Sequence, residues 1–422
     1  MSPANRQHFR EIATTVAANI IISAIGSLGG ILLARFLGPT QRGNLAIILQ
    51  WPAMVGSLAS LGITQSTCYF VSKMRNISRN IVATAAMCAL VTGLVVALIG
   101  PFISFGIGRD KEVIYLLIFV FLLSPIYISG GVWQSALQSI RITTWNVARL
   151  IQPTLYLLCI MIFWTLGRLT LLEVVSSFAI SLIFQTVFSF WSTRETIGKR
   201  GRVQRGLIKK LYGYGIKVWF SSVPRLVNVS LDQLMLSVWP GITSAELGNY
   251  VVAVSLSMLV LPISQAFGSV AFPKIAKESN NKSNIPTERI TLLGATISSL
   301  LVITPICSLA STIVPIVFGK GYEAAVTALW ILSPGAVFLA ITQVLGDILK
   351  GKGRPLIIST GEGIGSICTI VLLIVLIPNF GINGAAVAST IAYGIVMVFL
   401  LIKNRLLNKL LREKDADEQP KI

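Results

Sequence analysis

The chain has 422 residues, 54% of them hydrophobic and only 12% charged, with a mean hydropathy of +0.78. A soluble domain carries about 25% charged residues, so this composition excludes an ordinary soluble enzyme and indicates a polytopic membrane protein. The net charge of +19 does not point to nucleic acid, because the basic residues sit in short loops and form no basic face with interleaved aromatics.

Met1 to Arg10 precede an apolar run of about 23 residues, too long for a cleaved signal peptide, which reads as a retained first helix. Apolar runs punctuated by Gly, Pro and charge predict twelve transmembrane helices. Their limits are about 12–35, 45–72, 80–107, 113–138, 146–167, 170–193, 211–239, 247–272, 290–317, 325–349, 356–378 and 384–403. The expected fold is all-α integral membrane: two six-helix bundles around a central cavity. Of the 35 Lys and Arg, 27 fall on the side holding the N-terminus and 6 on the other, which predicts cytoplasmic termini. The remaining two, Lys217 and Arg225, lie inside helix seven.

The basic loop from Arg194 to Lys210, with its KRGRVQR run, reads as the linker between the halves. The expected domains are 1–200, with a cytoplasmic linker to about 210, then 211–403, then a cytoplasmic tail at 404–422. Arg42-Gly43-Asn44-Leu45 and Leu247-Gly248-Asn249-Tyr250 open the second helix of each half, a faint internal echo. Six helices per half give both halves the same direction through the membrane, the arrangement of parallel transporter repeats with a binding cavity at their interface.

Helix one carries Thr15, Asn19, Ser23 and Ser27 at four-residue steps, a stripe that suits either helix packing or a cavity wall. Arg149 and Gln152 lie one turn into helix five, before Pro153 and near the cytoplasmic interface, where a structural role is the favoured reading. Helix seven carries Lys217, Ser221, Arg225, Asn228 and Asp232, which at about 100° per residue fall within roughly 80° of arc. A central Arg costs about 2.5–3.5 kcal/mol even on the lenient insertion scale, so such residues normally face water, a partner or a substrate. Lys217 is near enough to the cytoplasmic end to snorkel. Asp347 and Glu362 lie near the cytoplasmic interface, where a charge costs little and a structural role is the favoured reading. With Asp232 they are the acids available for an H+ or Na+ site.

The five cysteines all lie in apolar segments without metal-ligand spacing, and the single histidine, His8, precedes the first span. No phosphate-cradling GxxxxGK[ST] loop is present and the outer loops are short. No catalytic residues, cofactor or metal are therefore expected.

Several segments resemble a known family. Leu37-Gly38-Pro39 with Gly43, then Ser60-Leu61-Gly62, resembles the opening of polysaccharide-transport flippases. Leu231-Asp232-Gln233-Leu234-Met235 and Glu246-Leu247-Gly248-Asn249-Tyr250 repeat that pattern in the second half. Phe318-Gly319 with Tyr322-Glu323-Ala324-Ala325, Gly351-Lys352-Gly353-Arg354-Pro355, and the block from Pro378 to Ala388 complete it. The chain thus resembles the polysaccharide transporter (O-antigen/exopolysaccharide flippase) branch of the multidrug/oligosaccharidyl-lipid/polysaccharide flippase superfamily, from about Glu11 to Leu401.

The resemblance implies alternating access, a bacterial cytoplasmic membrane and an undecaprenyl-diphosphate-linked oligosaccharide substrate. It also implies a place beside polysaccharide polymerase and chain-length machinery. Arg225 and Lys217 would then neutralise the diphosphate, while Asn19, Ser221, Asn228 and Arg149 complete the substrate site. Lipid II flippases resemble fourteen-helix chains, so twelve helices favour a surface-polysaccharide substrate. An ion-coupled drug antiporter of the same superfamily would need an acidic, aromatic site, and a membrane polymerase a large outer loop.

Overall fold

Pro39 cannot continue a helical hydrogen-bond ladder, and the chain breaks there. In the computed structural model, which describes residues 3–198, 201–278 and 285–417, α1 (Pro3–Ala59) is interrupted at Gly38, with φ 74° and ψ 173°. A turn through Leu61 and Gly62, both at positive φ, leads into α2 (Ile63–Lys73) and then α3 (Ser78–Ile107). Next come α4 (Lys111–Leu122) and α5 (Ser124–Ile140), bent by 41° where Pro125 opens α5, then α6 (Ile142–Thr165) and α7 (Leu171–Ile197). The long α8 (Arg205–Val238) follows.

Beyond it lie α9 (Ser244–Ser257) and α10 (Leu261–Glu278), joined by a single 3-10 turn, α11 (Ile285–Ser308) and α12 (Ala310–Phe318). The last two are α13 (Glu323–Gly351) and α14 (Leu356–Asp417), the latter broken at Gly381. Thr170 with Glu173 and Thr243 with Glu246 form capping boxes that start α7 and α9.

Every one of the twelve expected spans lies on helix, several as bent pairs. Among the described residues, eight helices are long and apolar enough to cross a membrane, or nine if α4 and α5 form one span. Cutting α1 and α14 at their glycines and joining the other bent pieces is consistent with twelve. α8, which carries Lys217, Arg225 and Asp232, is not among the eight. Lys199 and Arg200 of the basic run, and 418–422 of the tail, lie outside the described residues.

The chain divides into two compact units, Met1–Ser221 and Ser222–Ile422. The division falls within α8, not in the basic linker. The linker is pinned to α3: Arg202 donates its backbone N–H to Asn80 Oδ1 at 2.8 Å, and Gln204 donates to Thr84 Oγ1 at 3.1 Å. Leu207 and Leu211 of α8 then join the core that α2, α3, α4 and α5 build in the first unit. Tyr214 stacks on Tyr69 of α2, with centroids 4.2 Å apart. In the second unit α13 is the central helix, packed against α9, α10, α11, α12 and α14. Outward apolar side chains such as Leu94, Leu98 and Phe102 on α3 and Ile367, Val371 and Ile374 on α14 supply lipid-facing surface.

Candidate functional site

In the first unit, the polar stripe of α1 turns toward α6. Asn146 Nδ2 donates to Thr15 Oγ1 at 3.1 Å, and Arg149 Nη2 donates to Asn19 Oδ1 at 2.8 Å. The Arg149 guanidinium also lies 4.5 Å from the centre of the Trp145 ring, a cation–π contact. Helix-one packing and an oriented cation thus come from the same residues. Pro153 lacks an N–H, which leaves the Arg149 carbonyl without its i+4 donor.

Beside Arg149 opens a cavity of about 650 Å³ walled by α1, α2, α5, α6 and α7. Its polar lining includes Gln65, Gln134, Gln152 and Gln185, with Tyr127 and Tyr156. Gln185 Nε2 is spent on the Ala148 carbonyl at 3.1 Å. The hydroxyls of Tyr156 and Thr186, both on the cavity wall, are buried without a hydrogen-bond partner among the described residues. Arg42 lies within electrostatic reach of Tyr156. Of this set only Arg149, Asn19 and Gln152 stood out in the sequence. The signal that identifies the others is a polar amide on each of several apolar spans, and it has no meaning until those spans are brought together.

The helix-seven stripe lies on α8, and its members meet different surroundings. Lys217, Ser221 and Arg225 are exposed, and Ser221 Oγ turns back to the Val218 carbonyl at 2.7 Å. Neither Lys217 nor Arg225 makes a hydrogen bond or ion pair with a described residue, although Arg225 lies within electrostatic reach of Glu362. Asn228 and Asp232 instead point into the second unit and are buried. Asn228 Nδ2 donates to Glu362 Oε2 at 3.1 Å, and Asn228 Oδ1 accepts from Thr369 Oγ1 at 2.7 Å. Ser366 Oγ donates to the Pro224 carbonyl at 2.5 Å, tying α14 to α8 at the proline. Glu362 is 2% exposed and its Oε1 has no hydrogen-bond partner among the described residues.

Asp232 is held by three donors. Tyr250 Oη and Ser389 Oγ reach Oδ2 at 2.6 and 3.0 Å, and the Gln233 backbone N–H reaches Oδ1 at 2.7 Å. Asp347 pairs with the exposed Lys350 at 3.0 Å. The three acids therefore differ. Asp232 is fully engaged, Glu362 is half engaged, and Asp347 belongs to a partly exposed ion pair. Among the described residues no cluster of His, Cys, Asp and Glu has the geometry of a metal site.

The family model for polysaccharide biosynthesis proteins matches residues 9–279, more than half of the chain. The chain belongs to the polysaccharide biosynthesis protein family. A probable low-salt glycan biosynthesis flippase of Haloferax volcanii is 25% identical over 190 residues, 44% of this chain and 40% of that protein. The chain spans about two-fifths of the length of the curated relatives it matches. The fold matches a solved lipid II flippase in an inward closed conformation with a TM-score of 0.77, at 14% identity, covering 93% of this chain and 87% of the other. It also matches an inward-facing multidrug resistance transporter of the MOP superfamily at 0.74 and 14% identity, covering 95% and 99%. This member of the polysaccharide biosynthesis family is thus a multi-pass membrane protein with that transporter fold.

Proposed function

We propose that the protein is a flippase that moves undecaprenyl-diphosphate-linked oligosaccharide repeat units from the cytoplasmic to the outer leaflet of a bacterial cytoplasmic membrane by alternating access. The product serves O-antigen, capsule or exopolysaccharide assembly. The observation that carries this reading is Arg225, exposed on α8 of a membrane protein with no acid bonded to it. Family membership supplies the glycan; the unpaired cation supplies the reason for a diphosphate.

Arg225 offers paired donors to phosphate oxygens, and Lys217, two turns away, offers a point charge. Ser221 lies on the same stripe. Arg149, oriented by Asn19, supplies a first-unit cation for the glycan part of the substrate. Asn228 acts through Glu362 instead of on the substrate, since both ends of its amide are occupied. Coupling to H+ or Na+ falls to Glu362 and Asp232. Glu362 is the stronger of the two, because one oxygen is free to take a cation or proton.

The test is surface polysaccharide in a strain carrying Arg225→Ala at normal membrane levels. A hydrogen-bonded charge contributes about 1.5–3 kcal/mol, so export falls roughly ten- to a hundredfold. Arg225→Lys keeps part of it. Wild-type polysaccharide from Arg225→Ala overturns the assignment.

A further inference from the structure

The first-unit cavity has a chemistry that a diphosphate alone does not use. About 650 Å³ lies inside the range of about 300–1,000 Å³ for small-molecule sites, and is too small for a whole lipid-linked oligosaccharide. Burying an amide or hydroxyl in an apolar surrounding without a partner costs several kcal/mol, roughly 2–7. α2, α5, α6 and α7 each bring a glutamine to this one space: Gln65 is exposed, Gln134 and Gln152 are half-buried, and Gln185 is buried with its Nε2 on the Ala148 carbonyl. The hydroxyls of Tyr156 and Thr186 are buried on its wall and unpartnered among the described residues.

A glutamine amide carries both donors and an acceptor, which is the pattern that ring hydroxyls require, since each hydroxyl both donates and accepts. Tyr127 and Tyr156 add ring surface for the apolar face of a pyranose. None of the lining side chains is acidic, so the charge of Arg149 is uncompensated at the site. One of its N–H groups is used on Asn19 and its face on Trp145; the rest of the fork is available.

We propose that this cavity is a receptor for an anionic sugar unit, with Arg149 on the carboxylate or phosphate and Gln134 and Gln152 on the hydroxyls. The identity of the sugar rests on the flippase reading for how such a ligand reaches the protein; the binding itself does not. It is a subsite of the first unit that selects the glycan, while the lipid diphosphate is assigned to the cations of α8.

The experiment titrates the full-length protein in detergent by calorimetry with D-glucuronate, D-glucose 1-phosphate, D-glucose and inorganic phosphate. At least one of the two anionic sugars binds ten times more tightly than glucose or phosphate, and which one does so distinguishes a uronate from a sugar phosphate. Arg149→Gln removes that tenfold preference while leaving the affinity for glucose. Gln152→Glu, a second variant that keeps the side chain's size but exchanges the amide for a carboxylate, reverses the preference toward glucose. Absence of saturable sugar binding overturns the proposal, as does binding that both variants leave unchanged, or equal affinity for glucose and the anionic sugars. Surface polysaccharide measured in Arg225→Ala cells tests the flippase reading separately. Sugar binding without any glycan transport sinks that reading alone, and transport without sugar binding sinks the subsite alone.

Discussion

Glu288 and Lys352 form an ion pair at 2.6 Å with side chains only 4% and 9% exposed. Lys352 Nζ also donates to Asn404 Oδ1 and Asn408 Oδ1 at 2.8 and 2.6 Å, and both asparagine amides donate to Glu288 Oε2. Breaking such a buried pair leaves an uncompensated charge and costs about 3–5 kcal/mol. Burial pushes the Lys352 ammonium below the usual lysine range, while the hydrogen bond and charge of Glu288 oppose that shift. Glu288→Gln removes the opposing charge and leaves only a neutral acceptor, so the folded-state pKa falls further below the unfolded value. The unfolded chain then binds more protons between those two values, and stability rises with pH through that window. Thermal unfolding of Glu288→Gln should show its largest deficit near neutrality, shrinking toward pH of about 10. A deficit independent of pH would mean that Lys352 is not the group left stranded. None of this was legible in the sequence, where Lys352 stands out only as part of the Gly351-Lys352-Gly353-Arg354-Pro355 block and nothing marks Glu288. Their pairing depends on three chain segments meeting. Arg225 was legible, because the cost of a mid-span cation depends on the helix alone.

At the level of elements, breaks follow from local residues and their contacts from packing. Leu61 and Gly62 carry φ of 45° and 73°, and a Cβ on Gly62 would run into the Gly215 carbonyl of α8. A left-handed residue other than glycine costs roughly 1–2 kcal/mol before any clash. Gly167, at φ 66° with open space around it, isolates that strain. Gly62→Ala should therefore lower the thermal midpoint of the solubilised protein well beyond the effect of Gly167→Ala. Equal effects would show that the approach of α8 to this turn contributes nothing. The family-like blocks have structural duties of the same kind. Asn249 accepts from the Ala325 N–H and donates to the Gly321 carbonyl, fixing the start of α13, while the neighbouring Tyr250 holds Asp232. The α8 stripe shows where a helical wheel fails. Its angle was right, but a wheel has no depth, and α8 passes from the core of the first unit into that of the second.

For the whole molecule, the 27-to-6 division of Lys and Arg fixes an expected orientation. A reporter active only in the cytoplasm should be active when fused after the C-terminus and silent in the turn at Gly167; the opposite pattern would overturn the orientation on which the proposed cytoplasmic-to-outer transport rests. By itself the sequence determined a helical membrane protein, the positions of its twelve apolar segments and one energetically costly cation. Hydropathy, helical period and charge bias are properties of single segments, and a segment carries them wherever it packs. The tertiary structure alone decided that Asn228 and Asp232 turn inward while Arg225 stays exposed, and that four glutamines from separate helices line one cavity with Arg149. Those outcomes depend on which helices become neighbours, and burial of polar groups has a cost and a partner only once the neighbours are in place.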